Sequence, residues 1–130
     1  MKNYLGIDWG ESKIGLAFAD GETKIAFSYT TFKNDRNLVN NIAKAINDKE
    51  VSVVVIGISE NLKYEKKFKN EKELGRKLET MTGVEVKYQS EMFSTKMAER
   101  NLIERGAKKI KRFDDQESAK IILQEWLDNN

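Results

Sequence analysis

A mixed five-stranded α/β sheet, three antiparallel strands followed by two parallel ones with helices on its faces, is the fold that this 130-residue sequence predicts. Three observations predict it. Apolar runs separated by turn residues come first, strand and helix periodicities then alternate, and no proline or evident linker interrupts the chain. The length suits a single core, so residues 1–130 are expected to form one domain.

The elements follow in order. Tyr4-Leu5-Gly6-Ile7 and Ile14-Gly15-Leu16-Ala17-Phe18 are strand-like runs on either side of a polar turn, and Asp20-Gly21 signals a tight hairpin into a third strand, Lys24–Thr31. From Asp35 to about Lys49, Leu38, Val39, Ile42, Ala43 and Ile46 recur at helical spacing, with Asn34 or Asp35 as the expected cap. Val51–Ile56 is almost continuously β-branched, as a strand covered on both faces requires. Ser59–Lys69 shows no clean period and is read as a basic loop. Asn70 and Glu73 have capping-box spacing for a helix to about Met81, which Gly83 terminates. Val84–Tyr88 is the fifth strand. Ser94 or Thr95 caps a helix through Arg105, and a last helix spans Asp115–Asp128.

Composition removes whole classes of chemistry. With no Cys and no His, disulfide scaffolds, zinc fingers, Cys- or Ser-His triads and imidazole acid–base catalysis are excluded. Any metal must be held by oxygen, which favours Mg²⁺ or Mn²⁺ beside a phosphate. No apolar run approaches the roughly 18 residues that span a bilayer, and nothing at the start reads as a signal peptide, so no membrane partner and a cytoplasmic location are expected. The net charge of +2 says little about partners, which leaves local clusters to decide.

Three acids stand at element ends. Asp8 closes the first strand before Trp9-Gly10, where open α/β sheets bind ligands, although an Asp before Gly can also simply stabilise a turn. Glu91 follows the fifth strand by three residues, before a predicted helix, and taken alone reads as a solvated loop acid. Asp115 lies one turn before Ala119, on the stripe with Ile122, Leu123 and Trp126. Because Asp114 and Glu117 can form the capping box, an inward Asp115 needs another partner, either a nearby Lys or Arg or a metal shared with Asp8 and Glu91. Two such ions about 3.5–4 Å apart suffice for phosphodiester hydrolysis without His. Lys13, Lys63, Lys66, Lys67, Lys69, Lys108, Lys109, Lys111 and Arg112 are candidates for nucleic-acid backbone contacts or ordinary solvated surface, and Tyr64 and Phe68 for base stacking.

Leu5-Gly6-Ile7-Asp8-Trp9-Gly10 through Ile14-Gly15-Leu16-Ala17 and Asp20 resembles the opening signature of the YqgF family of Holliday-junction resolvases, also described as pre-16S ribosomal RNA nucleases. The resemblance continues at Val53–Gly57, at Glu91-Met92-Phe93-Ser94-Thr95 with Ala98, and from Asp115 through Ala119 to Gln124. It covers essentially the whole chain. It implies a ribonuclease H-like fold and a metal-dependent nuclease whose catalytic and metal-binding acids fall on Asp8, Glu91 and Asp115. Two departures stand out. Ser90-Glu91-Met92 replaces the family's usual succession of acid, Glu and Arg, and the loop after Gly57 lacks the usual Pro and Gly.

The expected function is a divalent-metal endonuclease that processes the 5′ end of pre-16S rRNA. Cleavage of branched DNA is the alternative, and a monomer or weak homodimer is expected. Two readings come from other classes. Asp8-Trp9-Gly10-Glu11-Ser12 also resembles the phosphate loop of actin-like ATPases, which generally need two such domains. Met92 in place of arginine keeps open a non-catalytic nucleic-acid-binding assembly factor.

Overall fold

The computed structural model describes residues 2–58, 65–90 and 115–130, and the side chains of all of these except 65–68 and 115. Its elements are β1 (Asn3–Asp8), β2 (Lys13–Ala19), β3 (Phe27–Lys33), α1 (Leu38–Asp48), β4 (Val51–Ile58), α2 (Glu65–Thr82), β5 (Glu85–Ser90) and α3 (Asp115–Asp128). They form one five-stranded sheet in the order β3-β2-β1-β4-β5. β1, β2 and β3 pair antiparallel, whereas β4 joins β1, and β5 joins β4, in parallel. This is the expected mixed sheet, and β1 is its central strand.

Alternation along the strands sorts apolar side chains onto two faces. Leu5, Ile7, Ile14, Leu16, Val54 and Ile56 meet Leu38, Ile42 and Ile46 of α1 and Leu74 and Leu78 of α2. Tyr4, Ala17, Ala19, Val53 and Val55 meet Ala119, Ile122, Leu123 and Leu127 of α3. β4 therefore supplies both layers, which explains its unbroken run of β-branched residues. Each fully buried Leu, Ile or Val contributes roughly 1.5–3 kcal/mol.

Gly6 sets the closeness of one layer. A Cβ built there would lie 2.7 Å from Leu123 Cβ and 2.9 Å from the Ala119 carbonyl oxygen, so α3 rests directly on the backbone of β1.

Three expected boundaries are corrected. The lysine-rich stretch is not loop as far as Lys69: α2 begins at Glu65, so Lys66, Lys67 and Lys69 lie on the helix and Asn70 lies inside it instead of capping it. Lys and Glu are good helix formers, and the buried stripe opens with Glu71, 5% exposed, which hid the apolar period that Leu74 and Leu78 continue. α1 starts at Leu38, with Asn37 at the cap and no side-chain capping bond. Asp35 instead holds the preceding turn, its Oδ1 accepting from the Asn37 N–H at 2.9 Å.

The third boundary is the β2–β3 connection, which is longer than a two-residue hairpin, so β3 starts at Phe27. Asp20 Oδ1 accepts from the N–H groups of Thr23 at 2.7 Å and Glu22 at 3.0 Å and from Thr23 Oγ1 at 3.1 Å, and Lys24 turns the chain at φ 54°. Gly83, at φ 73°, ends α2 as expected, its N–H donating to the Glu79 carbonyl at 2.9 Å. No helix among the described residues is long and apolar enough to cross a membrane.

Candidate active site

Asp8 is the last residue of β1 and pairs in register with Gly15 of β2. Tyr4 and Gly6 face α3, so alternation sends Asp8 to that same face. Gly15 adds no side chain beside it. On the other flank, Ile7 pairs with Ile56, and the next residue of β4 is Gly57. The carboxylate thus stands at the carboxyl edge of the central strand between two glycine positions, which leaves lateral room for an ion or a phosphate oxygen.

The chain turns sharply after Asp8. A Cβ on Gly10 would collide with the Lys13 carbonyl oxygen, so this turn tolerates only glycine without rearrangement. Asn34, the residue after β3, fixes it: its Nδ2 donates to the Gly10 carbonyl at 2.8 Å and its N–H to the Ser12 carbonyl at 2.9 Å.

α3 runs antiparallel to β1 across this face. Near its end the Trp126 ring lies 5.8 Å from that of Tyr4, in its middle Ala119 and Leu123 touch Gly6, and at its start Gln116 Nε2 donates to Thr31 Oγ1 at 3.0 Å. Thr31 pairs with Gly15, and Gly15 with Asp8, so the first turn of α3 overlies the row of the sheet that holds Asp8. Asp115 is the first residue of that helix, and its side chain lies outside the described set. Glu117 Oε1 accepts from Ser28 Oγ at 3.1 Å, which ties the same turn to β3.

β4 ends at Ile58 and β5 at Ser90, and these two residues pair. Glu91 follows Ser90 directly in sequence but lies outside the described residues, so no described group of three or more acids could hold a metal. The donors in hand are consistent with a hard cation: a partly exposed carboxylate, without His or Cys anywhere in the chain.

Of the basic candidates, Lys13 opens β2 two residues before Gly15, on the α3 face and on the edge side of Asp8, and it is exposed. It pairs with Lys33 of β3, also exposed. The register places both lysines on the α3 face of the hairpin. Sequence reading missed Lys33, because only the register of the β2–β3 hairpin reveals it. Lys69 is exposed on α2, on the other side of the sheet, and the backbones of Lys66 and Lys67 lie on the same helix. Lys63, Lys108, Lys109, Lys111 and Arg112 lie outside the described residues, as do Tyr64 and the side chain of Phe68.

The architecture is shared with solved resolvases. RuvC of Thermus thermophilus bound to a Holliday junction superimposes with a TM-score of 0.68 at 17% identity, covering 99% of this chain and 95% of that one. The fowlpox virus resolvase bound to Holliday junction DNA gives 0.62 at 11% identity, covering 98% and 97%. At such identities the likeness is one of fold, and that fold is ribonuclease H-like. A protein of Dictyoglomus turgidum, provisionally named a pre-16S rRNA nuclease, is 34% identical over 96% of this chain and 93% of its own length. A relative in Anaeromyxobacter with the same provisional name is also 34% identical, over 96% of each chain. Residues 2–129 match the family described as RuvX, Holliday junction resolvase, which is the YqgF family under another name. The chain belongs to the RuvX (YqgF) family.

Proposed function

We propose that this protein is a divalent-metal-dependent endonuclease that hydrolyses phosphodiester bonds in structured RNA, and that it trims the 5′ end of pre-16S rRNA in the cytoplasm. One observation carries the reading: Asp8 stands at the carboxyl edge of the central strand, on the face that α3 overlies with its first turn, beside the exposed pair Lys13 and Lys33. The provisional names of the relatives favour RNA as substrate.

Asp8, Glu91 and Asp115 would hold Mg²⁺ or Mn²⁺. Bound there, the ion would supply an activated water and stabilise the departing oxygen. Asp8 would orient the scissile phosphate from the rigid end of β1. Lys13 and Lys33 would hold neighbouring phosphates, with the further lysines and Arg112 extending the track. The family description favours branched DNA as a second substrate class.

The test is cleavage of precursor ribosomal RNA and of four-way DNA in Mg²⁺ or Mn²⁺ by wild type and Asp8→Asn. Removing even an outer-shell partner of a metal typically costs 10–100-fold, so loss of a direct ligand is expected to cost more than roughly 100-fold. Equal cleavage by the two proteins overturns the mechanism. Sedimentation during the DNA assay checks the expected monomer or weak homodimer, since a symmetric junction calls for two sites.

A further inference from the structure

Asp8 and Trp9 are consecutive, and alternation sends them to opposite faces of the sheet. Trp9 packs, partly buried, against the core layer beneath α1 and α2. There it forms a wall of a cleft of about 160 Å³ whose other walls include Asn34, Asp35, Leu38, Asn70 and Leu74. Trp9 and the buried Leu38 and Leu74 supply apolar walls, and the rim carries the amides of Asn34 and Asn70, the carboxylates of Asp35 and Glu73 and the Lys77 ammonium. That combination suits a flat ring with a polar edge. Pockets that enclose whole small molecules run to roughly 300–1,000 Å³, so this one takes a single ring system and not a complete nucleotide cofactor. The Asn34–Gly10 bond ties the cleft to the turn that carries Asp8.

We infer that the cleft takes one unstacked nucleobase of the strand whose phosphate lies against Asp8. The strand crosses the carboxyl edge of the sheet, with a phosphate on the Asp8 face and an adjacent base against Trp9 on the other. Asn70, exposed at the cleft rim one turn before Leu74 on α2, offers both donor and acceptor to the edge of the base. Splayed bases in single-stranded segments are recognised in this way, by stacking together with edge hydrogen bonds. The site therefore selects for a locally unpaired strand at the cut. This inference rests on the nucleic-acid-cleaving reading above.

The test is binding in EDTA, where no strand is cut. The probes are a single-stranded oligonucleotide and the same backbone made abasic, and the readouts are anisotropy and tryptophan emission. The chain has two tryptophans, so Trp126→Phe leaves Trp9 as the reporter. The intact strand is expected to quench Trp9 and to bind roughly ten- to hundredfold more tightly than the abasic one. Trp9→Ala should remove most of that ratio, and Asn70→Ala should reduce it roughly two- to tenfold. Asn70→Ala keeps the question decidable should Trp9→Ala fail to fold, because it alters only an exposed helix position. Equal quenching by both strands, no binding of the intact strand, or a ratio unmoved in the folded variants overturns the inference. Such a failure leaves Asp8-dependent cleavage standing, and a failed cleavage assay leaves the binding ratio readable.

Discussion

At the scale of single residues, Asp20 shows how one side chain can set the length of a connection. The Thr23 N–H is the main cause holding its carboxyl below the usual carboxylate range, with help from Thr23 Oγ1 and the Glu22 N–H against a smaller opposing effect of burial. A carboxylate whose folded pKa is depressed contributes stability that is present above its unfolded value and lost as pH falls through the folded one. Asp20→Ala is therefore expected to lower the melting temperature at pH 7, and the gap from wild type should narrow as pH drops below the ordinary value of 3.8. Thermal unfolding of both proteins at pH 7 and pH 2 checks this, and an equal gap at the two pH values counts against it. Asp20-Gly21 was legible as a turn, but its span was not. That span depends on where Thr23 and Lys24 come to rest, and a dipeptide rule contains no such information. Asp8 was legible because it ends an apolar run before Trp9-Gly10, whereas Lys33 was invisible until the register set it opposite Lys13.

At the scale of elements, α2 and α3 mark opposite ends of what a periodicity can reveal. The inner stripe of α3, Ala119, Ile122 and Leu123, is apolar throughout, so both the extent and the facing of that helix could be read directly. α2 has a buried acid, Glu71, in its stripe and lysines around its first turns, and only Leu74 and Leu78 kept the period visible. The seating of α3 is set by a feature with no side chain at all. Gly6→Ala would push its methyl group into Leu123 Cβ and the Ala119 carbonyl, and backbone on both sides must give way. Overpacking of this kind costs about 1–3 kcal/mol, which denaturant unfolding would read. The same displacement separates β1 from α3. If Asp8 and Asp115 share an ion, cleavage should fall by up to about 100-fold at a temperature where both proteins are folded. Unchanged stability would show that α3 does not rest on β1 as described.

At the scale of the whole molecule, the two-layered core follows from the strand pattern, while the proposed site draws on the ends of separate elements. Asp8, the end of β5 and the start of α3 come from positions far apart in sequence, and no local period records how the sheet order arranges them. Charge behaves in the same way. A net +2 spread over 130 residues exerts little long-range pull on a polyanion, so the proposed function assigns affinity to clusters such as Lys13 with Lys33. Each phosphate contact releases counterions and adds about 0.9 to the steepness of the salt dependence for duplex, or about 0.7 for a single strand. Lys13→Ala and Lys33→Ala are each expected to flatten the plot of log affinity against log salt by about that amount, on RNA and DNA alike and whatever the base sequence. Lys44→Ala, at an exposed position of α1, should leave the slope unchanged. Titrations between 50 and 200 mM salt decide the point. Equal slopes for wild type, Lys13→Ala and Lys33→Ala would remove this lysine pair from the phosphate track.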